Sequence, residues 1–204
     1  MNTGDDGPAG AGERSPGVPE RLLAAATRLF AERGYERTSV QEVVDAAGVT
    51  KGAMYHYYAS KDDLLYAIYQ RLLTLQARRL ADFAAAEGPI ADRVRAAAAD
   101  LVHTTVDNLD DAVIFFRSMH TLSADRQAAV RKERRRYHEC FRGMIEEGQR
   151  AGVFRADVPA DVAATQYFGA VHHIGRWYHP GGELSGPALG AYFADLLLAG
   201  LRPD

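Results

Sequence analysis

The chain has 204 residues and 22.3 kDa, with 47% apolar and 25% charged side chains, a mixture that excludes wholesale disorder and supplies enough length to bury a core. No run of about 18 apolar residues is present to form a membrane-spanning helix, the single Cys140 excludes an internal disulfide and a cysteine zinc cage, and the first residues lack the basic-then-apolar order of a signal peptide, so a cytoplasmic location without membrane attachment is expected. A formal net charge of -3 and an isoelectric point near 6.2 provide no global attraction for nucleic acid, so such a partner must be argued from a local site.

In chain order, Met1 to Val18 is Gly, Pro, Ala and charge with almost nothing to bury, which predicts a disordered, solvated arm over 1–18. Helix signals begin at Pro19: Glu20 sits near the positive end of the dipole, and Leu22, Ala26, Leu29 and Phe30 share one face until Gly34. Thr38 and Ser39 then offer N-cap hydroxyls, Glu42 completes a capping-box spacing with Ser39, and Val40, Val43, Val44 and Ala47 form the short apolar face of a second helix ending at Gly48. Thr50 caps a third short helix over 51–57. Ser60 caps a long fourth one carrying Leu64, Leu65, Ile68, Leu72 and Leu75 towards Gly88, a rod of about 40 Å. Five further helices are expected near 91–108, 110–121, 124–151, 160–178 and 187–200, with no alternating strand pattern and no repeat, so the fold class is all-α.

The informative stretch runs from Thr38 to Leu64. Two short helices joined through Ala46, Ala47, Gly48 and Val49 have the spacing of a helix-turn-helix, with Gly48 supplying the left-handed backbone of the turn and Val49 filling the angle between the helices. The second helix then projects Thr50, Lys51, Gly52, Tyr55, His56 and Tyr57, which combine hydrogen-bond donors with small residues that permit close approach to DNA, while Ala53 can touch a thymine methyl group. Thr38, Val43, Val44, Ala47, Gly48, Val49, Thr50, Gly52, Tyr55, Tyr57, Tyr58, Lys61 and Leu64 stand in register with the N-terminal signature of the TetR family of bacterial transcriptional regulators, which this segment resembles over about 19–66. Three positions depart from it: Val44 replaces the usual Ala, Tyr57 the usual His and Tyr58 the usual Phe.

The resemblance implies a helix-turn-helix domain over 19–65, a ligand-binding and dimerisation domain over 66–204, a double-stranded DNA operator as partner, and a homodimer. It makes Thr38 and Thr50 phosphate clamps at helix ends, Tyr55 and Tyr57 backbone contacts, and Lys61 a phosphate partner. Ser39 joins them as a capping hydroxyl, and base reading falls to Lys51, Gly52, Ala53 and His56. An aromatic cluster of Tyr55, Tyr57, Tyr58 and Tyr66 binding the third helix to the fourth is the structural alternative.

Further along, Phe115, Phe116, Met119, Tyr137, Phe141 and Met144 are bulky against an alanine-rich background. Core packing accounts for such residues, and in the TetR family this region also holds a ligand cavity, which soft Met and aromatic walls would suit. His172 and Arg176 share a helix face, where Arg176 can grip a ligand carboxylate or phosphate, form an internal ion pair or make a dimer contact. The run Arg131 to Arg136 reads as a solvated face, and His103 between Asp100 and Asp107 as an ion-paired histidine rather than a metal ligand. Residues 176–185 resemble a segment of TetR-type regulators that respond to coenzyme A thioesters in lipid and steroid breakdown, which points the small-molecule effector towards an acyl-CoA. The last two helices, with Val162, Phe168, Val171, Gly175, Leu189, Phe193, Leu196 and Leu197, are expected to form the dimer interface, with Gly169, Ala170 and Gly190 allowing close approach. Catalysis, a cofactor and a metal are not implied. An all-α enzyme and a helical adaptor without DNA are the rival readings.

Overall fold

The computed structural model describes residues 16–203, so most of the expected arm lies outside the described residues. Among the described residues there is no strand, and ten α-helices follow one another: α1 Val18–Arg33, α2 Val40–Ala47, α3 Lys51–Tyr57, α4 Lys61–Ala85, α5 Ile90–Asp107, α6 Leu109–Ser118, α7 Ala124–Arg150, α8 Ala160–His172, α9 Ile174–Trp177 and α10 Gly186–Gly200. Two expected helices end early. The 110–121 segment passes into a 3-10 turn at Met119–Thr121, and the 160–178 segment breaks at His173, whose ring Nδ1 donates to the carbonyl of Gly169 at 2.9 Å.

The caps explain the first half. Ser39 and Glu42 form the reciprocal box, with Ser39 Oγ accepting from the Glu42 amide at 3.2 Å and Glu42 Oε2 accepting from the Ser39 amide at 2.8 Å. Gly48 terminates α2 at φ 62°, a left-handed conformation that favours glycine, and this sharp reversal frees α3 from the path of α2. Leu22, Phe30, Val43, Val44, Met54, Leu64 and Leu65 close one core. That core does not stop at residue 65. It continues along α4 through Ile68, Tyr69 and Leu73 and takes in Ile114 and Phe115 of α6, then Leu122 and Val130.

A second core joins α5, α7, α8 and α10 around Val94, Val102, Phe141, Ile145, Phe168 and Leu189. Here close approach depends on glycine: a Cβ at Gly190 would lie 2.8 Å from the carbonyl oxygen of Ala99, so α10 packs directly on the backbone of α5. The small residue at 190 therefore serves packing within the chain, and not the expected approach between copies. Tyr167 of α8 donates to the Ala98 carbonyl at 2.5 Å, pinning a third helix to the same stretch of α5.

Candidate functional site

At the N-terminal head, Thr50 caps α3 by accepting from the Ala53 amide at 3.1 Å, and Met54 is fully buried as the anchor of the helix. With Met54 inward, helical periodicity turns Lys51, Gly52, Tyr55 and His56 outward, and Tyr57 follows them. Tyr55 and Tyr57 are 52% and 50% exposed, so neither is core glue, whereas Tyr58 is half-buried against the core. A Cβ at Gly52 would meet only Thr50 Oγ1, at 3.8 Å, which leaves the start of α3 open to a surface that approaches closely. Arg37, absent from the expected set, is exposed two residues before the Ser39 cap, and no ion pair involves it among the described residues.

Two expected phosphate clamps are otherwise engaged. Thr38 is 1% exposed and its hydroxyl donates to the carbonyls of Leu29 and Gly34 at 3.3 and 2.9 Å, so it latches the end of α1 while its neighbour Ser39 does the capping. Lys61 sends its ammonium inward, donating to the carbonyls of Tyr35 and Thr38 at 2.9 and 3.0 Å and lying 4.1 Å above the Tyr35 ring. That position satisfies carbonyls in the loop between α1 and α2, and makes Lys61 a brace of the head.

In the second half, a cavity of about 90 Å³ lies between α4, α5, α6, α7 and α8. Leu72, Leu73, Leu101, Phe115, Phe116, Tyr137, Phe168 and Val171 form its apolar walls, and Gln76, Thr105, Arg134, His138 and His172 supply polar groups. Of the expected ligand residues it brings together Phe115, Phe116, Tyr137 and His172. Phe141 and Met144 do not reach it: both are buried in the core, where Phe141 stacks on Tyr167 with ring centres 5.4 Å apart. Met119 falls in the 3-10 turn and packs against the N-terminal core. Arg176 is exposed and lines a neighbouring open depression with Arg117, His173 and Gly175, which shares Ala112, Phe116 and His172 with the cavity.

The cation inside the cavity wall is Arg134, expected to be solvated. Its guanidinium carbon lies 5.2 Å from the ring centre of Phe115 and 5.9 Å from that of Phe116. Burial pushes its pKa below the ordinary arginine value. Burial first, then the charges of Arg134 and His173, push His172 down to about 4, which keeps its imidazole neutral near pH 7. A signal for Arg134 was present in the sequence: 130, 134, 137, 141 and 144 repeat at helical spacing, so Arg134 interrupts the apolar stripe of Val130, Tyr137, Phe141 and Met144. His103, by contrast, pairs with Asp107 at 3.4 Å on an exposed face.

Cavity and head are wired together through α6. Phe115 lines the cavity with its ring, while its carbonyl and that of Ile114 accept from the Tyr69 hydroxyl of α4 at 2.8 and 3.1 Å. One turn back, Asp111 accepts two bonds from Arg71 Nη2 at 2.7 and 2.8 Å, and the same nitrogen donates to Thr27 Oγ1 of α1 at 3.0 Å. Arg126 of α7 bridges Asp62 and Asp63 at the start of α4.

Residues 22–68 match the family described as bacterial regulatory proteins, tetR family, and residues 87–201 match the tetracyclin repressor-like C-terminal domain. The chain belongs to the TetR family. It is accordingly a DNA-binding transcription regulator and not an enzyme. Among relatives, the HTH-type transcriptional repressor KstR2 of Rhodococcus jostii (strain RHA1) is 28% identical over 185 residues, spanning 88% of this chain and 89% of that protein. A TetR/AcrR-family regulator from Thermobifida fusca YX-ER1 superposes with a TM-score of 0.72 at 34% identity, covering 91% of this chain and 98% of that one. The structure of AibR in complex with isovaleryl coenzyme A and operator DNA superposes with a TM-score of 0.77 at 25% identity, covering 92% and 99%. Among the described residues, no helix of this TetR-family chain is long and apolar enough to cross a membrane.

Proposed function

We propose that this chain is a homodimeric repressor that leaves a palindromic operator when a small effector with an apolar body, of the acyl-CoA class, fills the cavity. In this reading Lys51, Gly52, Ala53 and His56 read base edges, and Thr50, Tyr55, Tyr57, Ser39 and Arg37 meet phosphates. Val162, Tyr192 and Leu196, 57%, 58% and 73% exposed on α8 and α10, are the apolar surface that a second copy covers. The two heads then read half-sites about 34–36 Å apart.

The observation that carries the release mechanism is the double use of Phe115. A guest that moves its ring also moves the carbonyl that holds Tyr69, and α4 and α1 are tied to the same helix through Arg71. A ligand acts in this way only if it binds the DNA-incompetent arrangement more tightly. The acyl-CoA class is supported by the isovaleryl coenzyme A bound to the structurally similar AibR and by the resemblance of residues 176–185. The cavity is smaller than the roughly 150 Å³ that holds a benzene ring, so even a short or branched acyl group must widen it on entry. The half-exposed Phe116 ring is the wall that can swing away to admit it.

The test is an electrophoretic mobility shift on the DNA upstream of the gene. Short and branched acyl-CoAs should release the complex while free CoA does not. Retention of the complex by every thioester tried, short, long and steroidal, would refute the effector class. Absence of any specific shift would refute the operator reading.

A further inference from the structure

We propose that Arg134 is the anion-binding group of the cavity, so that the effector is an amphiphile whose apolar body is enclosed and whose anionic oxygens meet this guanidinium. The inference rests on the reading of the cavity as the effector site and deepens it. Arg134 and His138 are the two residues that line both the cavity and an open basic groove on the outer side of α7, where Arg131, Arg135 and Arg142 also stand. They therefore form the threshold between an apolar chamber and a cationic surface. The groove also holds Glu139 and Asp161, but these do not neutralise Arg134: among the described residues no carboxylate lies within ion-pairing distance of it, whereas Asp161 approaches His138 at 3.7 Å and Arg142 turns to Glu146 at 3.3 Å.

On the cavity side the Arg134 guanidinium faces aromatic rings. The faces of Phe115 and Phe116 stabilise a cation weakly compared with a carboxylate or phosphate, which can take two parallel N–H bonds from it. A half-buried cation is costly unless it is paired. This arginine interrupts a stripe otherwise filled by Val130, Tyr137 and Phe141, and among the described residues no hydrogen-bond or ion-pair partner takes up its N–H donors, which leaves them for an anion. The depressed pKa reports the same desolvation. His172, neutral beside it, can add a hydrogen bond to the guest without repelling the Arg134 cation. Arg176, exposed in the neighbouring depression, has no such setting.

The anionic oxygens have two sources, a free carboxylate or the phosphates of a coenzyme A thioester. The experiment compares isovalerate and benzoate, their CoA thioesters and their primary amides. Operator release and isothermal titration are measured on the wild type, Arg134→Met and Arg134→Lys, with circular dichroism melting to confirm that each variant folds. Anionic probes should bind the wild type at least tenfold more tightly than the amides. Arg134→Met should abolish that preference while leaving amide affinity within about twofold, and Arg134→Lys should restore part of it. Carboxylate preference identifies the acid as the guest and thioester preference identifies the phosphates, and either supports the proposal. Equal binding of amide and anion by the wild type, or an unchanged preference in Arg134→Met, overturns the proposal and leaves the cavity reading intact. If no probe binds the wild type at all, the effector reading fails and this inference falls with it.

Discussion

Lys61 separates two physical roles that make opposite predictions. As a brace it donates to the Tyr35 carbonyl at 2.9 Å and the Thr38 carbonyl at 3.0 Å and sits 4.1 Å over the Tyr35 ring. Charge-assisted bonds contribute about 1.5–3 kcal/mol each when fully shielded, and a partly exposed cation over an aromatic ring about 0.5–1 kcal/mol. Lys61 is half-buried, so water recovers part of the loss when it is removed. Lys61→Met should therefore destabilise the protein by about 2–3 kcal/mol, a fall in melting temperature of about 5–10 °C for a chain of this size. Urea titration with a helical signal checks the stability, and operator binding at several salt concentrations checks the other role. A phosphate clamp would reduce the slope of log affinity against log salt by about one, whereas a brace leaves the slope unchanged among molecules that remain folded. Unchanged stability with a slope lower by one would refute the structural assignment.

Gly190→Ala should destabilise by about 1–3 kcal/mol, because its Cβ would press on the Ala99 carbonyl at 2.8 Å, while Gly143→Ala, which meets nothing within 4 Å in the middle of α7, should stabilise by about 0.5–1 kcal/mol; equal denaturation midpoints for the two would contradict the packing. His172 is held neutral down to about pH 4 by burial, against an ordinary value of 6.5. The unfolded chain thus takes up a proton that the folded chain refuses, and stability present above pH 6.5 is lost as pH falls towards 4, by up to about 3 kcal/mol. Denaturation of His172→Gln should show a shallower acid loss than the wild type, and parallel pH profiles would count against it. Leu196→Glu, placing a charge on a side chain 73% exposed on α10, should leave the monomer folded but shift sedimentation at micromolar concentration towards monomer; an intact dimer would move the interface elsewhere.

The helices and the reading head were legible in the sequence because their determinants are neighbours along the chain. Ser39 and Glu42 are three residues apart, Gly48 turns the chain by itself, Thr50 caps its own helix, and Met54 against Tyr55 and His56 is a matter of helical period. The same local signals carried the family resemblance. They did not disclose where long side chains spend their charge. Lys61 reaches back 26 residues to Tyr35, Arg71 reaches 40 residues on to Asp111, and Arg134 meets the ring of Phe115 across a helix pair. Apolar periodicity says that a face is buried, but not whether its neighbour is another core residue or an empty space. For that reason Phe141 and Met144, on the same stripe as Tyr137, became core while Tyr137 became cavity wall. Likewise Gly190 reads as a small residue from sequence alone. Only the crossing of α10 over α5 decides that the space it leaves is taken by Ala99 of its own chain.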